Sequence, residues 1–389
     1  MGLSNSVWRR RNIGLLVILM AAASAGVLNG QSATDGAATR PIMDGLFAAV
    51  SKVMPISLDG DAWEKPENRA QVAAALKELS DSAKGLETHA MSRDAAFGFV
   101  ANSLARDARD IHRWYQRGSY GESRYLLHNL TENCISCHAR LPASMKFPPA
   151  ESFFRSAEIA KLPALEKAQL LVATRQFDQA LTVYETTFAS PETRPAELVM
   201  MDAFTGYLKL AIRVKEDVQR PIPVLESLAK RSDLPKFVEL QLGDWIASLK
   251  NFVQKPPRRG SDLVIGRTIV QAAQRKMEFK VDRAALVDYI VASKFLNRFV
   301  VANPKPSADT AEAYWLLGVT ESMIGRSYWL SQTEFYLETS IRMAPKGPFA
   351  KRAYALLEEQ AMLEFTGSSG TNLPEDMQQL LNELRGLIR

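Results

Sequence analysis

The sequence predicts an all-α protein, a four-helix bundle followed by a solenoid of paired helices, and three observations carry that prediction. Apolar residues recur at spacings of three and four through the first part, where no strand pattern is convincing. Beyond a Pro-Pro break near residue 148 the helical pattern resumes as shorter pairs. A hydrophobic fraction of 47% with 23% charged residues is that of an ordinary globular protein, and the length allows two or three domains.

Residues 1–33 have the three parts of a secretory signal: a basic region ending at Arg11, an apolar run Ile13–Leu28, and small residues around Ala23-Ser24-Ala25 or Gln31-Ser32-Ala33. The run falls short of the roughly 20 residues that span a bilayer comfortably. A cleaved signal and a periplasmic location are therefore expected; an uncleaved helix tethering the chain to the inner membrane is the alternative, and the only expected membrane contact. Three of the basic residues behind the net charge of +5 are Arg9, Arg10 and Arg11 of this segment. Without them the chain is close to neutral and shows no basic stripe interleaved with aromatics, so nucleic acid is not an expected partner.

Residues 41–145 read as one domain. Pro41 is well placed at a helix start, with Ile42, Leu46, Val50 and Val53 at helical spacing and Pro55 as the stop. A loop over Ser57–Asn68 leads to a second helix, Arg69–His89, striped by Val72, Leu76, Leu79, Ala83 and Leu86. Ser92 is placed as the N-cap of a third, Arg93–Arg117. After Gly118 and Gly121 a fourth helix is expected over Glu122–Arg140, stopping before Pro142. Four such helices with short connections favour an up-down-up-down bundle, in which the start of the first helix lies beside the end of the fourth.

The fourth helix carries Cys134-Ile135-Ser136-Cys137-His138, a C-x-x-C-H box. Residues three apart share a helix face, so both thiols can reach the two vinyl groups of one porphyrin while His138 ligates the iron. A C-x-x-C pair by itself also fits a redox dithiol or half of a zinc site. The adjoining histidine, the lack of any other cysteine and the export signal favour one covalent haem c held by Cys134 and Cys137. His128, ten residues earlier and nearly three turns away, is not expected at the iron; His89 and His112 are expected at half-exposed surfaces.

With its box near the end of a fourth helix, this stretch resembles the cytochrome c-prime family. The resemblance covers about a quarter of the chain. It implies either an open apolar distal side or a methionine ligand from the start of the first helix, the position Met43 occupies. Arg40, three residues ahead of Met43, is similar to the family's basic residue there, although the usual interval is one longer; a haem propionate contact is its implied role. A core methionine is the other reading of Met43. Met54, three turns on, is expected too far down the bundle to take part.

Residues 150–365 form the second domain. In Leu165–Phe188, Ala168, Leu171, Ala180 and Tyr184 resemble the packing positions of a tetratricopeptide helix pair, and so do Tyr314, Leu317 and Gly318 in a second pair that closes at Met343-Ala344-Pro345. Leu198–Val214, Pro223–Arg231, Phe237–Val253 and Val281–Val300 read as looser helices of one stack, with a break at Lys255–Gly260. This part contains no His and no Cys, and no nucleophile and base stand together, so an enzyme is not expected. Gly367–Asn372 reads as a hinge, and 373–389 as an amphipathic capping helix. Together these readings predict a periplasmic electron-transfer cytochrome whose repeats dock a redox partner protein, or alternatively a haem-based gas sensor signalling through them.

Overall fold

The computed structural model describes residues 39–90, 95–140, 147, 149–277, 283–325, 332–368 and 370–389. The expected export segment, Ser92 and most of the 145–150 linker lie outside them. The described chain is all-α apart from one strand pair, Thr366–Gly367 against Gly370–Thr371, within the expected hinge. No helix among the described residues is long and apolar enough to cross a membrane.

The first group of helices is α1 (39–57), α2 (Gly60–Glu64), α3 (Pro66–Ala90), α4 (Ala95–Gln116), α5 (Tyr120–Asn129) and α6 (Thr131–His138). Three elements differ from expectation. Pro55 does not stop α1, which runs to residue 57; the Ser57 hydroxyl donates to the Met54 carbonyl at 2.8 Å and closes that end. The loop after it contains α2, started by Asp59, whose carboxylate accepts from the backbone of Asp61 and Ala62. The expected fourth helix is two, because the chain tightens at Leu130: its N–H bonds both Leu126 and Leu127 carbonyls, and its own carbonyl accepts from Asn133 N–H, a three-residue step.

Leu46, Val53, Leu76, Leu79, Leu104, Ile111 and Leu127 interdigitate in the core of this group. Trp63 plugs one end, fully buried, with its indole N–H donating to the Tyr120 carbonyl and the Tyr115 hydroxyl donating to its own. That core does not stop at the expected linker. It takes in Phe153, Ile159 and Leu170, which belong to α7 (Pro149–Phe153), α8 (Ala157–Ala160) and α9 (Ala164–Ala173).

The chain continues through α10 (Phe177–Ala189), α11 (Pro195–Met200), α12 (Ala203–Lys209) with a π-helical turn Leu210–Val214, α13 (Pro221–Leu228), α14 (Lys236–Gln254), α15 (Asp262–Lys276), α16 (Leu286–Ala302), α17 (Ala308–Ile324), α18 (Gln332–Met343), α19 (Ala350–Glu364) and α20 (Glu375–Ile388). Helix α15 is absent from the sequence reading, although Ser261 caps it by accepting from Val264 N–H. Successive helices pack on one another from α15 to α19. Close approach needs small residues: a Cβ on Gly266 of α15 would sit 2.6 Å from Leu296, and one on Gly318 of α17 would clash with Leu337. Helix α20 lies on α18 and α19, sharing Leu357, Leu381 and Leu384 in a separate small core.

Of the contacts that join the groups, two bear most on the site. Helix α6 packs on α9, and α4 packs on α18, where Phe99 and Phe335 stack.

Candidate functional site

Cys134, Cys137 and His138 all open onto one cavity of about 340 Å³ between α1, α4, α6 and the end of α9, a size within the roughly 300–1,000 Å³ of small-molecule and cofactor pockets. Its walls are mainly apolar, with Leu46, Phe47, Val50, Phe97, Leu104 and Leu127 prominent. Thr39, Arg40 and Met43 line it as well, so the residues singled out on the first and fourth helices share one cavity. Met54 also lines it: the cavity follows α1 for about three turns beyond Met43 at the usual rise per residue.

Helix α6 is gripped from several directions. Asn133 donates to the Asp107 carboxylate of α4 at 2.8 Å. Glu132, its carboxyl raised above the ordinary range by burial, feels Lys209 of α12 and Asp202 just before that helix. The two thiols are not bridged to each other. Burial pushes Cys134 up to about 12, so it is a protonated thiol at neutral pH.

His138 Nδ1 lies 2.9 Å from the carbonyl oxygen of Ala173. Burial, and after it the charge of Arg175, push this imidazole down to about 4; it is therefore neutral, with the proton on Nδ1 donated to Ala173 and the Nε2 lone pair left for a ligand. A carbonyl behind the far nitrogen is the usual device for orienting a metal-ligating histidine. The acceptor is available because of how α9 ends. Arg175 N–H bonds the Val172 carbonyl at 3.0 Å and Gln176 N–H the Leu171 carbonyl at 2.8 Å, a Schellman closure that leaves the Ala173 carbonyl, one of the last-turn orphans, unused.

Sequence reasoning missed the α9 contribution: Leu170, Ala173, Thr174 and Arg175 all line the cavity. Only the left-handed backbone at Arg175, φ +62°, marks the place, and nothing in composition reveals it. The other histidines stay apart from the box. His128 Nε2 lies 3.0 Å from the Ser57 hydroxyl and His89 Nε2 3.0 Å from that of Thr39.

The residues fit a haem better than the competing groups. The lining offers no His, Cys, Asp or Glu beyond the box among the described residues, so a four-ligand zinc site has no fourth protein donor there. Two buried polar atoms on the walls, Asn133 Oδ1 and Arg175 Nε, have no hydrogen-bond partner, as expected of a cavity shaped for a polar-edged, largely apolar group. Comparison with family models, with curated proteins and with solved structures finds no match to the chain.

Proposed function

We propose that the chain is a periplasmic c-type cytochrome, with one covalent haem c in a four-helix bundle resembling cytochrome c-prime and a tetratricopeptide-like solenoid that docks a redox partner protein. One observation carries the reading: the two thiols and a neutral, carbonyl-oriented His138 open together onto a single mostly apolar cavity. Haem bound there supplies one-electron transfer. The chain's own residues would fix and orient it: Cys134 and Cys137 would hold it through thioethers, His138 Nε2 would ligate the iron with Met43 as the candidate second ligand, Arg40 would meet a propionate, and the walls of α1 and α4 would exclude water.

The solenoid reading is supported by packing. Ala168 and Ala180, which match the small positions of a repeat, are fully buried on α9 and α10, and Gly318 permits the contact of α17 with α18. A second reading, gas sensing, is favoured by the His138 to Ala173 hydrogen bond, since any displacement of the imidazole is felt directly by α9.

The test is an optical spectrum of the purified, reduced protein with and without carbon monoxide, run beside acid-acetone extraction. Covalent haem stays with the polypeptide, and a low-spin spectrum indifferent to carbon monoxide marks the carrier. Extractable colour refutes the thioether assignment. A high-spin spectrum that shifts on adding carbon monoxide transfers the assignment to the sensor.

A further inference from the structure

The residue after the α9 C-cap, at the position of a Schellman turn that glycine ordinarily fills, is Arg175, with φ +62°. A non-glycine side chain in the left-handed region is strained because its Cβ crowds the following carbonyl, and such outliers collect where a side chain has work to do. Arg175 lines the cavity, and its charge is felt by His138 and coupled to Cys137. Its Nε is buried without a hydrogen-bond partner, its ring contact is with Phe177 at 6.0 Å, and no carboxylate among the described residues lies within ion-pair distance of it. Burial draws its pKa down from the usual guanidinium value, yet a guanidinium remains charged at neutral pH.

The other charged side chain of the lining is Arg40, exposed on α1. Asp and Glu do not occur among the lining residues. A cavity with two guanidinium groups, one of them partly desolvated, and no carboxylate is complementary to an anionic ligand, and a planar fork of N–H donors suits a carboxylate above other anions.

We infer that Arg175 binds a carboxylate of the cavity's ligand, one haem propionate under the function proposed above, on which this inference rests. The helix end after the bundle then supplies two parts of the site: the Ala173 carbonyl that orients His138, and the cation that neutralises the propionate. The site is shared between both parts of the chain, and the left-handed strain at residue 175 is retained because glycine could not serve the second role.

The experiment uses the full haem-bearing chain and the variants Arg175→Gln, Arg175→Lys and Arg175→Gly, with the exposed Arg155→Gln as control. A positive charge beside the haem favours the reduced state, so Arg175→Gln lowers the midpoint potential and shifts the propionate bending band of the resonance Raman spectrum; Arg155→Gln does neither. Arg175→Lys, retaining charge without the fork, recovers part of the potential. Arg175→Gly separates binding from folding: it relieves the left-handed backbone, so it melts no lower than wild type while its potential falls as in Arg175→Gln. Covalent haem with unchanged potential and unchanged propionate band in both Arg175→Gln and Arg175→Gly overturns the inference and leaves the cytochrome reading intact. Wild-type protein without covalent haem overturns both.

Discussion

Phe99 of α4 and Phe335 of α18 stack with ring centroids 4.5 Å apart and planes inclined by 21°, far from each other in sequence and on opposite sides of the expected linker. Phe335 is 9% exposed, while Phe99 is only half-buried. Together with the α6 to α9 contact, this pair helps attach the helices that carry the box to those that follow. Truncating Phe335 to Ala should therefore cost about 3–5 kcal/mol, and Phe99→Ala less. Urea unfolding followed by tryptophan fluorescence measures both; equal, near-zero effects would mean the stack contributes no stability at the junction.

Glu334, next to Phe335, makes that junction pH-sensitive. Burial, then the carboxylates of Glu338, Glu364 and Asp376, outweigh Arg106 of α4 and push Glu334 up to about 7 from 4.5. The folded chain thus keeps a proton that the unfolded chain releases once the pH passes 4.5. The resulting stability is fully present below 4.5 and is lost as the pH rises through about 7, amounting to no more than about 3 kcal/mol for a partly accessible group. Glu334→Gln cannot lose it. The variant should match wild type near pH 4.5 and exceed it in urea midpoint above about pH 7; parallel pH profiles would contradict the assignment.

A buried ion pair holds the middle of the second part. Arg213, in the π-helical turn, pairs with Glu321 of α17 and donates through Nε to the Ser293 hydroxyl of α16 at 2.6 Å. They are 3% and 7% exposed, so Glu321→Gln or Arg213→Met leaves a partner buried without its counter-charge, at about 3–5 kcal/mol each. The double variant Arg213→Met, Glu321→Leu should recover most of that loss, because Ser293 keeps its bond to the Ile290 carbonyl at 2.7 Å. Additive losses in the double-mutant cycle would show that the two charges do not depend on each other.

Much of this organisation was legible because it is local. Spacing of Val72, Leu76, Leu79 and Leu86 marks α3, and Gly318 marks a close helix contact, without any knowledge of partners. The box carries its own chemistry in five consecutive residues. Helix α15 has its signals, Ser261 before it and Arg275 and Lys276 in its last turn, but it stands between the Lys255–Gly260 break and the stronger pattern of Val281–Val300 and matches no repeat position. The step at Leu130 has no proline or glycine to announce it. Ala173 and Arg175 were out of reach for a different reason: they join the cavity through tertiary packing of α9 on α6, and a backbone carbonyl leaves no trace in side-chain pattern.

The two methionines of the cavity give the last prediction. Met43 and Met54 are eleven residues apart on α1, about 16 Å at 1.5 Å per residue, so at most one can face an iron held by His138. Met54 is 5% exposed, and its sulfur lies 3.7 Å from the Ser57 hydroxyl, which donates to the Met54 carbonyl and also meets His128. Met43 is half-buried and shares the start of α1 with Thr39 and Arg40, which line the same cavity as Cys134, Cys137 and His138 of α6. If the proposed haem is bound with Met43 as its second ligand, Met43→Ala should turn it from six-coordinate low-spin to five-coordinate and carbon-monoxide-binding, with a stability loss near the lower end of about 2–5 kcal/mol for a partly buried side chain. Met43→Leu nearly restores the volume and supplies no sulfur, so it should show the same spectrum with little loss of stability, whereas Met54→Leu should leave the spectrum unchanged. A low-spin spectrum surviving in both Met43 variants and lost in Met54→Leu would assign the ligand to Met54. Wild-type protein that is high-spin from the outset would make Met43 a packing residue and favour the gas-binding reading, because the face opposite His138 would then be open to a small ligand.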